Sequence, residues 1–420
     1  MLNIQQPDFG RRLKLLRRER RLSQRDLAGG VVNPSYISLL ESGARVPTLE
    51  VAIQLAKGLG VPLGQLVDNA ELHVEPAAVE TGSAVDGRLV RDLLARQAYE
   101  SGDLDGARRR FEENYRFALS SGDLSDALSD GLDLLDVLIR QGHDEARVQL
   151  LDELAGLAEQ SGTPEAVVRL QVDRAVAARD AGRMAEALDF AEAAVGGIVS
   201  TALARTSEHV RALGVLISIY CDSGDFRDVT RLVEEMLDIA KAVAGPPVIG
   251  RAHWVAAVAL GRLGKSELVE NHVRRAQDLL AVPSTSVQDW AQFVRAAASA
   301  LLEIDAAPAS VEHYLVAARA ATAITDTGSA KLASLECRLA LMVGDHERAV
   351  ALSDFVDGPD PDLVGVDLAR LRRARGLALR ALGRVDEAAA QIRAAALICD
   401  EIAAHRMAAQ LWRELAEMNS

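Results

Sequence analysis

From Arg88 onward, apolar residues keep to one face of successive helical segments, and glycines interrupt that pattern in a steady register. They are Gly102, Gly142, Gly182, Gly224, Gly264, Gly344 and Gly383, separated by 40, 40, 42, 40, 80 and 39 residues. A small or β-branched residue follows each, at Ala107, Ala146, Ala187, Val229, Val269, Ala349 and Ala388. The step of 80 residues conceals a degenerate member near Ile304, with Ala309 or Val311 in the small-residue position. This register predicts eight helix pairs stacked side by side. Each glycine makes the turn, and each small residue lets the second helix approach the first. Residues 403–418, with Met407, Leu411, Trp412 and Leu415 on one face, predict a last helix that caps the open end.

The first 68 residues follow a different pattern of shorter helices. Asp8 is placed to cap a helix whose apolar stripe is Phe9, Leu13, Leu15 and Leu16, with arginines opposite. Ser23 and Asp26 have capping-box spacing, which starts a second helix burying Leu27 and Ala28. Asn33 before Pro34 starts a third, through Tyr36, Ile37 and Leu40 to Glu41, and Ser42-Gly43 ends it. Thr48 caps a fourth that Gly58 and Gly60 stop, and Pro62 opens a short fifth. Residues 69–87 lack helical periodicity and contain Pro76, Gly82 and Gly87, which predicts a linker. The expected division is therefore 1–68, a linker at 69–87, and a repeat domain at 88–420, in an all-α chain.

Two resemblances follow from these residues. The series Ser23-Gln24-x-x-Leu27-Ala28, then Ser35-Tyr36-Ile37-Ser38-x-x-Glu41-Ser42-Gly43, then Arg45-x-Pro47-Thr48, resembles the lambda repressor/Cro (XRE) helix-turn-helix family. That likeness implies a five-helix domain that sets its third helix into the major groove of double-stranded DNA, about 12 Å wide. It further implies that Gln24 binds a phosphate and that Pro34, Ser35, Ser38 and Leu39 face base edges. Ser42 and Arg45 would touch backbone just beyond. Pro34 and Leu39 offer only apolar contact, so Arg18, Arg25 and Arg45 are expected to supply affinity through phosphates. The segment Ala98-Tyr99-x-x-Gly102-Asp103-x-x-x-Ala107-x-x-x-Phe111 resembles the tetratricopeptide repeat, with longer helices. Joined to such a head, the array resembles the peptide-responsive RRNPP-type regulators. This implies a homodimer on a palindromic operator, with a peptide, a small anionic molecule or a protein partner in the repeat groove. An adaptor whose head only localises it is the alternative.

Charge sharpens the picture. The whole chain carries −14, yet residues 1–70 hold 10 Lys+Arg against 6 Asp+Glu, leaving −18 on the remainder. Eight basic residues fall between Arg11 and Arg25, as expected for a head that binds a polyanion on a body that does not. Arginine exceeds lysine and alanine is abundant, which points to a GC-rich bacterial genome. At the position thirteen residues before the turn glycine stand Arg169, Arg211, Arg251, Lys331 and Arg370. These predict a ladder of cations along the concave wall, with Arg179, Arg338, Arg373 and Arg380 deeper and Trp254 adding an aromatic face. Such a ladder suits an extended anionic guest, and pairing with Asp173, Glu208, Glu336 and Asp367 is the competing arrangement. No HExxH, GxxxxGK[ST] or GxSxG occurs, and Cys221, Cys337 and Cys399 form no CxxC. Neither catalysis, a metal nor a cofactor is expected, and no apolar stretch reaches the length of a membrane span. The chain reads as cytoplasmic and nucleoid-associated.

Overall fold

In the N-terminal segment, helix α1 (Asp8–Glu19) buries Phe9 and Leu13 and half-buries Leu16, which recur at helical spacing. Leu15 lies off that stripe and is 59% exposed, so its expected place in the core is corrected. The capping box forms as expected. The Ser23 backbone N–H donates to Asp26 Oδ2 at 2.9 Å, and the Asp26 N–H donates to Ser23 Oγ at 3.1 Å. They open α2 (Gln24–Ala28), followed by α3 (Pro34–Glu41). Leu27, Ala28, Ile37 and Leu40 close over Phe9 and Leu13, joined by Ala52, Leu55 and Leu59.

The structure is a computed structural model. It describes residues 8–20, 22–28, 34–45, 47, 51–52, 55, 59, 61 and 84–418, apart from 143, 244, 284, 326–327 and 358–362. The cap expected at Asn33, that at Thr48, the fifth helix and most of the linker lie outside the described residues. Leu59, between the two glycines expected to stop the fourth helix, is helical. By internal contacts the chain divides into two units, Met1–Gly87 and Arg88–Ser420.

The second unit is a run of helix pairs: α4 (Ala84–Glu100) with α5 (Leu104–Ser121), α6 (Leu124–Gln141) with α7 (Asp144–Ser161), and α8 (Pro164–Asp180) with α9 (Met184–Ile198). Next come α10 (Ser207–Ser223) with α11 (Val229–Val243), α12 (Pro246–Arg262) with α13 (Ser266–Leu280), and α14 (Val287–Glu303) with α15 (Pro308–Thr325). The last pairs are α16 (Ser329–Met342) with α17 (His346–Leu352), and α18 (Gly365–Ala381) with α19 (Val385–Glu401), before α20 (His405–Met418). Helix α4 starts at Ala84, so 84–87 belong to a helix and not to the linker expected there. Among the described residues every regular element is helical.

The seven turn glycines all have positive φ, between 71° and 83°. In the degenerate repeat Asp305 takes their place with φ 50°, and Val311, fully buried, holds the small-residue position. The second repeat needs a correction. Its equivalent buried position is Arg147, one residue beyond the exposed Ala146, because the facing position lies five residues after the glycine. Arg147 meets Asp180 at 3.2 Å, its guanidinium held at the edge of the packing. Helix α17 is short, and Arg375 on α18 completes its end. Nη1 donates to Val350 O at 2.9 Å, Ser353 Oγ at 3.2 Å and Asp354 Oδ1 at 2.7 Å, while Nη2 meets Asp357 at 3.0 Å.

The coil of pairs closes on itself. One continuous apolar core runs from Ala175 and Met184 to Ile402, Ala408, Leu411 and Leu415. At Gly224 the backbone is left-handed and the last helix comes so close that an added Cβ would lie 2.8 Å from Arg406 Cβ. A Cβ on Gly182 would similarly lie 3.9 Å from Ile402 Cγ2. Helix α20 packs on α19 as expected of a cap, and its first turn also meets the fourth repeat, where Arg406 lies against Gly224 and Phe226. Cys221, Cys337 and Cys399 are buried core residues, and burial pushes each thiol up to about 11.

Candidate nucleic-acid interface and repeat cavity

Three helices of the first unit meet at one carboxylate. Glu41, on the last turn of α3, has a side chain 4% exposed. It accepts from Arg17 Nε at 2.5 Å and Nη2 at 3.0 Å, and from Gln24 Nε2 at 2.8 Å. Arg17 Nη1 also donates to Leu22 O at 2.8 Å. Burial alone would raise the Glu41 carboxyl, but hydrogen bonds from Arg17 and Gln24 hold it below the ordinary value. α1, α2 and α3 are thus pinned through side chains as well as through the core. Away from this knot, α1 presents Arg11, Lys14 and Arg18 on one exposed face. Ser38 and Leu39 are exposed on α3, and Ser42 Oγ turns back to donate to Leu39 O at 3.1 Å. Arg45 is exposed just beyond, its backbone N–H donating to the same carbonyl at 3.3 Å.

The repeat unit holds a half-open cavity of about 480 Å³. Its walls come from α10, α12, α14, α16, α18 and α20, with Arg262, Arg338, Arg370, Arg373 and Arg406 facing Asp222, Glu303 and Asp305. Asp222, 6% exposed, receives Arg179 Nε at 2.8 Å and Nη2 at 2.7 Å and is bound by Arg262, with Arg370 at 3.9 Å. Burial opposes its charge, yet these three guanidinium groups hold the carboxyl far below its usual range. Glu303 meets Arg338 at 2.9 Å and Arg370 at 4.0 Å, and against the cost of burial they hold it at about 2. Arg370 itself is lowered, by burial first and then by Arg262 beside it. Arg406 stacks on the Phe226 ring, 4.8 Å from its centre.

The expected ladder is distributed otherwise. Arg338, Arg370 and Arg373 reach the cavity, and Arg179 supports it through Asp222. Arg169, Arg211, Arg251 and Lys331 instead staple consecutive first helices together. Arg169 meets Asp136 at 3.9 Å, Arg211 binds Asp173, Arg251 meets Asp289 at 3.1 Å, and Lys331 meets Asp367 at 3.9 Å. Arg373 donates three hydrogen bonds to Glu414, at 2.6 to 3.1 Å. Glu336 pairs with Arg319. Trp254 is half-buried against the core, and neither it nor the exposed Arg380 lines the cavity. The staples arise because a residue on one first helix faces its counterpart about forty positions on, where this sequence supplies the opposite charge.

Comparison with known proteins bears on the first unit. Residues 8–70 match the sequence pattern of the family described as Helix-turn-helix domain. The N-terminal unit is a helix-turn-helix domain. Over 68 residues it is 35% identical to the cryptic phage CTXphi transcriptional repressor RstR of Vibrio cholerae, which covers 16% of this chain. The chain spans 61% of the length of that curated relative. Among solved structures, PlcR of Bacillus thuringiensis with the peptide PapR7 and DNA is 15% identical at TM-score 0.36, over 76% of this chain and 95% of its own. A Rap protein complexed with competence and sporulation factor is 11% identical at TM-score 0.48, over 80% and 98%.

Within the helix-turn-helix domain, Gln24 opens α2 as expected, but its amide nitrogen is engaged by Glu41 and not directed outward. Arg18, Ser38, Leu39, Ser42 and Arg45 are exposed. Arg25 lies in α2, and Pro34 and Ser35 form the first turn of α3. Sequence reasoning missed the Asp222, Arg262 and Glu303 cluster in the repeats. The available signal was phase, since each stands two residues before a left-handed turn residue, Gly224, Gly264 or Asp305. Among the described residues no group of three or more His, Cys, Asp or Glu could hold a metal, and no helix is long and apolar enough to cross a membrane.

Proposed function

We propose that the chain is a DNA-binding transcriptional regulator whose repeat unit receives an effector, that it acts as a homodimer, and that it works by binding and not by catalysis. The observation that supports this most is the helix-turn-helix domain at 8–70, with cations along α1 and an exposed face on α3. A helix presented this way enters the major groove, with Pro34, Ser35, Ser38 and Leu39 toward base edges. Arg18, Arg25 and Arg45 hold phosphates on either side, so affinity falls with salt. Two heads bind half-sites about 34 Å apart, or a multiple of that, when the dimer sets their separation.

Footprinting of the full chain on DNA around its own promoter is expected to give a protected site with dyad symmetry. Protection without sequence preference, together with a protein partner at fixed stoichiometry, would make it an adaptor instead. The Arg25→Ala/Arg45→Ala double variant should weaken binding to all sequences alike. Its slope of log affinity against log salt should fall by about two, one per lost phosphate contact. An unchanged slope removes both residues from the interface.

A further inference from the structure

The central cavity is charged in a way that folding alone does not balance. Five arginines line it against three carboxylates, and with the partners just outside, Arg179 on Asp222, Glu414 on Arg373 and Asp367 between Arg370 and Lys331, seven cations meet five carboxylates. The excess is largely sequestered. The side chains of Arg262, Arg370 and Arg338 are 10%, 15% and 17% exposed, while Asp222 already shares its two oxygens among Arg179, Arg262 and Arg370. The buried Arg262 Nε has no hydrogen-bond partner among the described residues. Arg370 lies beside Arg262, and that neighbour, after burial, works against its charge. Arg406 faces the same space from the docked last helix with a ring beneath it and no ion pair among the described residues. Like charges held together under low dielectric favour an anion between them, and guanidinium forks suit carboxylate or phosphate oxygens.

We propose that this cavity is the effector site and that it takes a compact dianion, with two carboxylate or phosphate charges on one small frame, in contact with Arg262, Arg370 and Arg406. The inference rests on the regulator reading and specifies its ligand. Size selects a small molecule. A volume of about 480 Å³ lies within the ~300–1,000 Å³ of small-molecule pockets, and α20 supplies one wall through Arg406, Met407 and Gln410. The walls belong to four successive repeats, the eighth, and the terminal helix, so a dianion bound there favours one mutual packing of all of them. That differential preference is what an effector needs.

The test uses the full-length protein at constant ionic strength, with succinate, citrate, inorganic phosphate and ribose 5-phosphate as probes and succinamide and sodium chloride as controls. At least one dianion should bind saturably at one site per chain by calorimetry and raise the melting temperature by several degrees. Preference among the probes separates a carboxylate from a phosphate ligand. Arg406→Gln, at an exposed position, should keep the fold by circular dichroism and weaken that binding at least tenfold. Arg370→Met should do the same, and its melting curve without probe reports any damage to the fold. The bound dianion should also shift the midpoint of the DNA titration at least fivefold. The proposal is overturned if no probe exceeds chloride, if Arg406→Gln binds undiminished, or if binding leaves the DNA titration unmoved. The footprint is taken without any dianion. Its absence therefore removes the regulator reading, while a normal footprint without a saturable site removes only this one.

Discussion

Glu41 receives Arg17 and Gln24 across three helices, and its position at the end of α3 makes it the point where a small domain is most easily loosened. Removing one partner of a buried pair leaves the other charge uncompensated. Glu41→Ala should therefore cost the helix-turn-helix domain about 3 kcal/mol. The expected observation is early loss of amide protection in α1–α3, with the repeat unit melting unchanged. At Gly224 two demands coincide, a left-handed backbone and the approach of Arg406. Gly102 shares the backbone (φ 83°), but nothing lies within 4 Å of a Cβ there. Gly102→Ala should cost about 1 kcal/mol for the backbone alone. Gly224→Ala should cost about 2 kcal/mol more, because a Cβ of Arg406 cannot swing aside as the tip of a long side chain can. Thermal melts of the two variants give the comparison, and equal losses would mean that the contact at Gly224 is not stabilising.

At the scale of helices, the eight pairs were legible because a turn glycine and a buried residue five positions later recur whatever lies between them. The exceptions share one cause. Arg147 and Asp305 fill a repeated backbone role with an unlike side chain, so a search by residue type passes over them. The ion-pair staples were harder to see, since each depends on how one helix is rotated against its counterpart in the next repeat. A register error of one residue turns a side chain by about 100°. The α12–α13 hairpin adds a feature no motif announces. His253 and His272 face each other with Nδ1 atoms 2.9 Å apart, so in the neutral pair one ring donates and the other accepts. Burial, then His272, Arg275 and Lys241, lowers His253 to about 4, and burial lowers His272 as well. His253 stays neutral in the fold while the unfolded chain takes up protons from about pH 6.5 downward, and His272 is shifted in the same direction. The stability His253 contributes is complete above pH 6.5 and is lost as the pH falls toward 4. Melting temperatures between pH 7 and 4.5 should drop less steeply in His253→Gln, by the equivalent of about 1 kcal/mol. Parallel curves would show that the pair does not titrate in this range.

Over the whole molecule, the separation of a basic front unit from an acidic repeat unit was visible in charge alone, and so was the all-helical architecture. Which arginines gather was not. Arg338, Arg370 and Arg373 converge with Arg262 and Arg406 because the chain of pairs bends round until its last helix meets Gly224. That curvature is the sum of many small angles between neighbouring repeats, and no local pattern encodes it. An open spiral stretches like a spring, each coil yielding a little and independently. A hoop fastened at Gly224 and Arg406 does not. Displacing one segment obliges the others to tilt with it, and a chain cut before the final helix loses the clasp that makes the ring answer as one body.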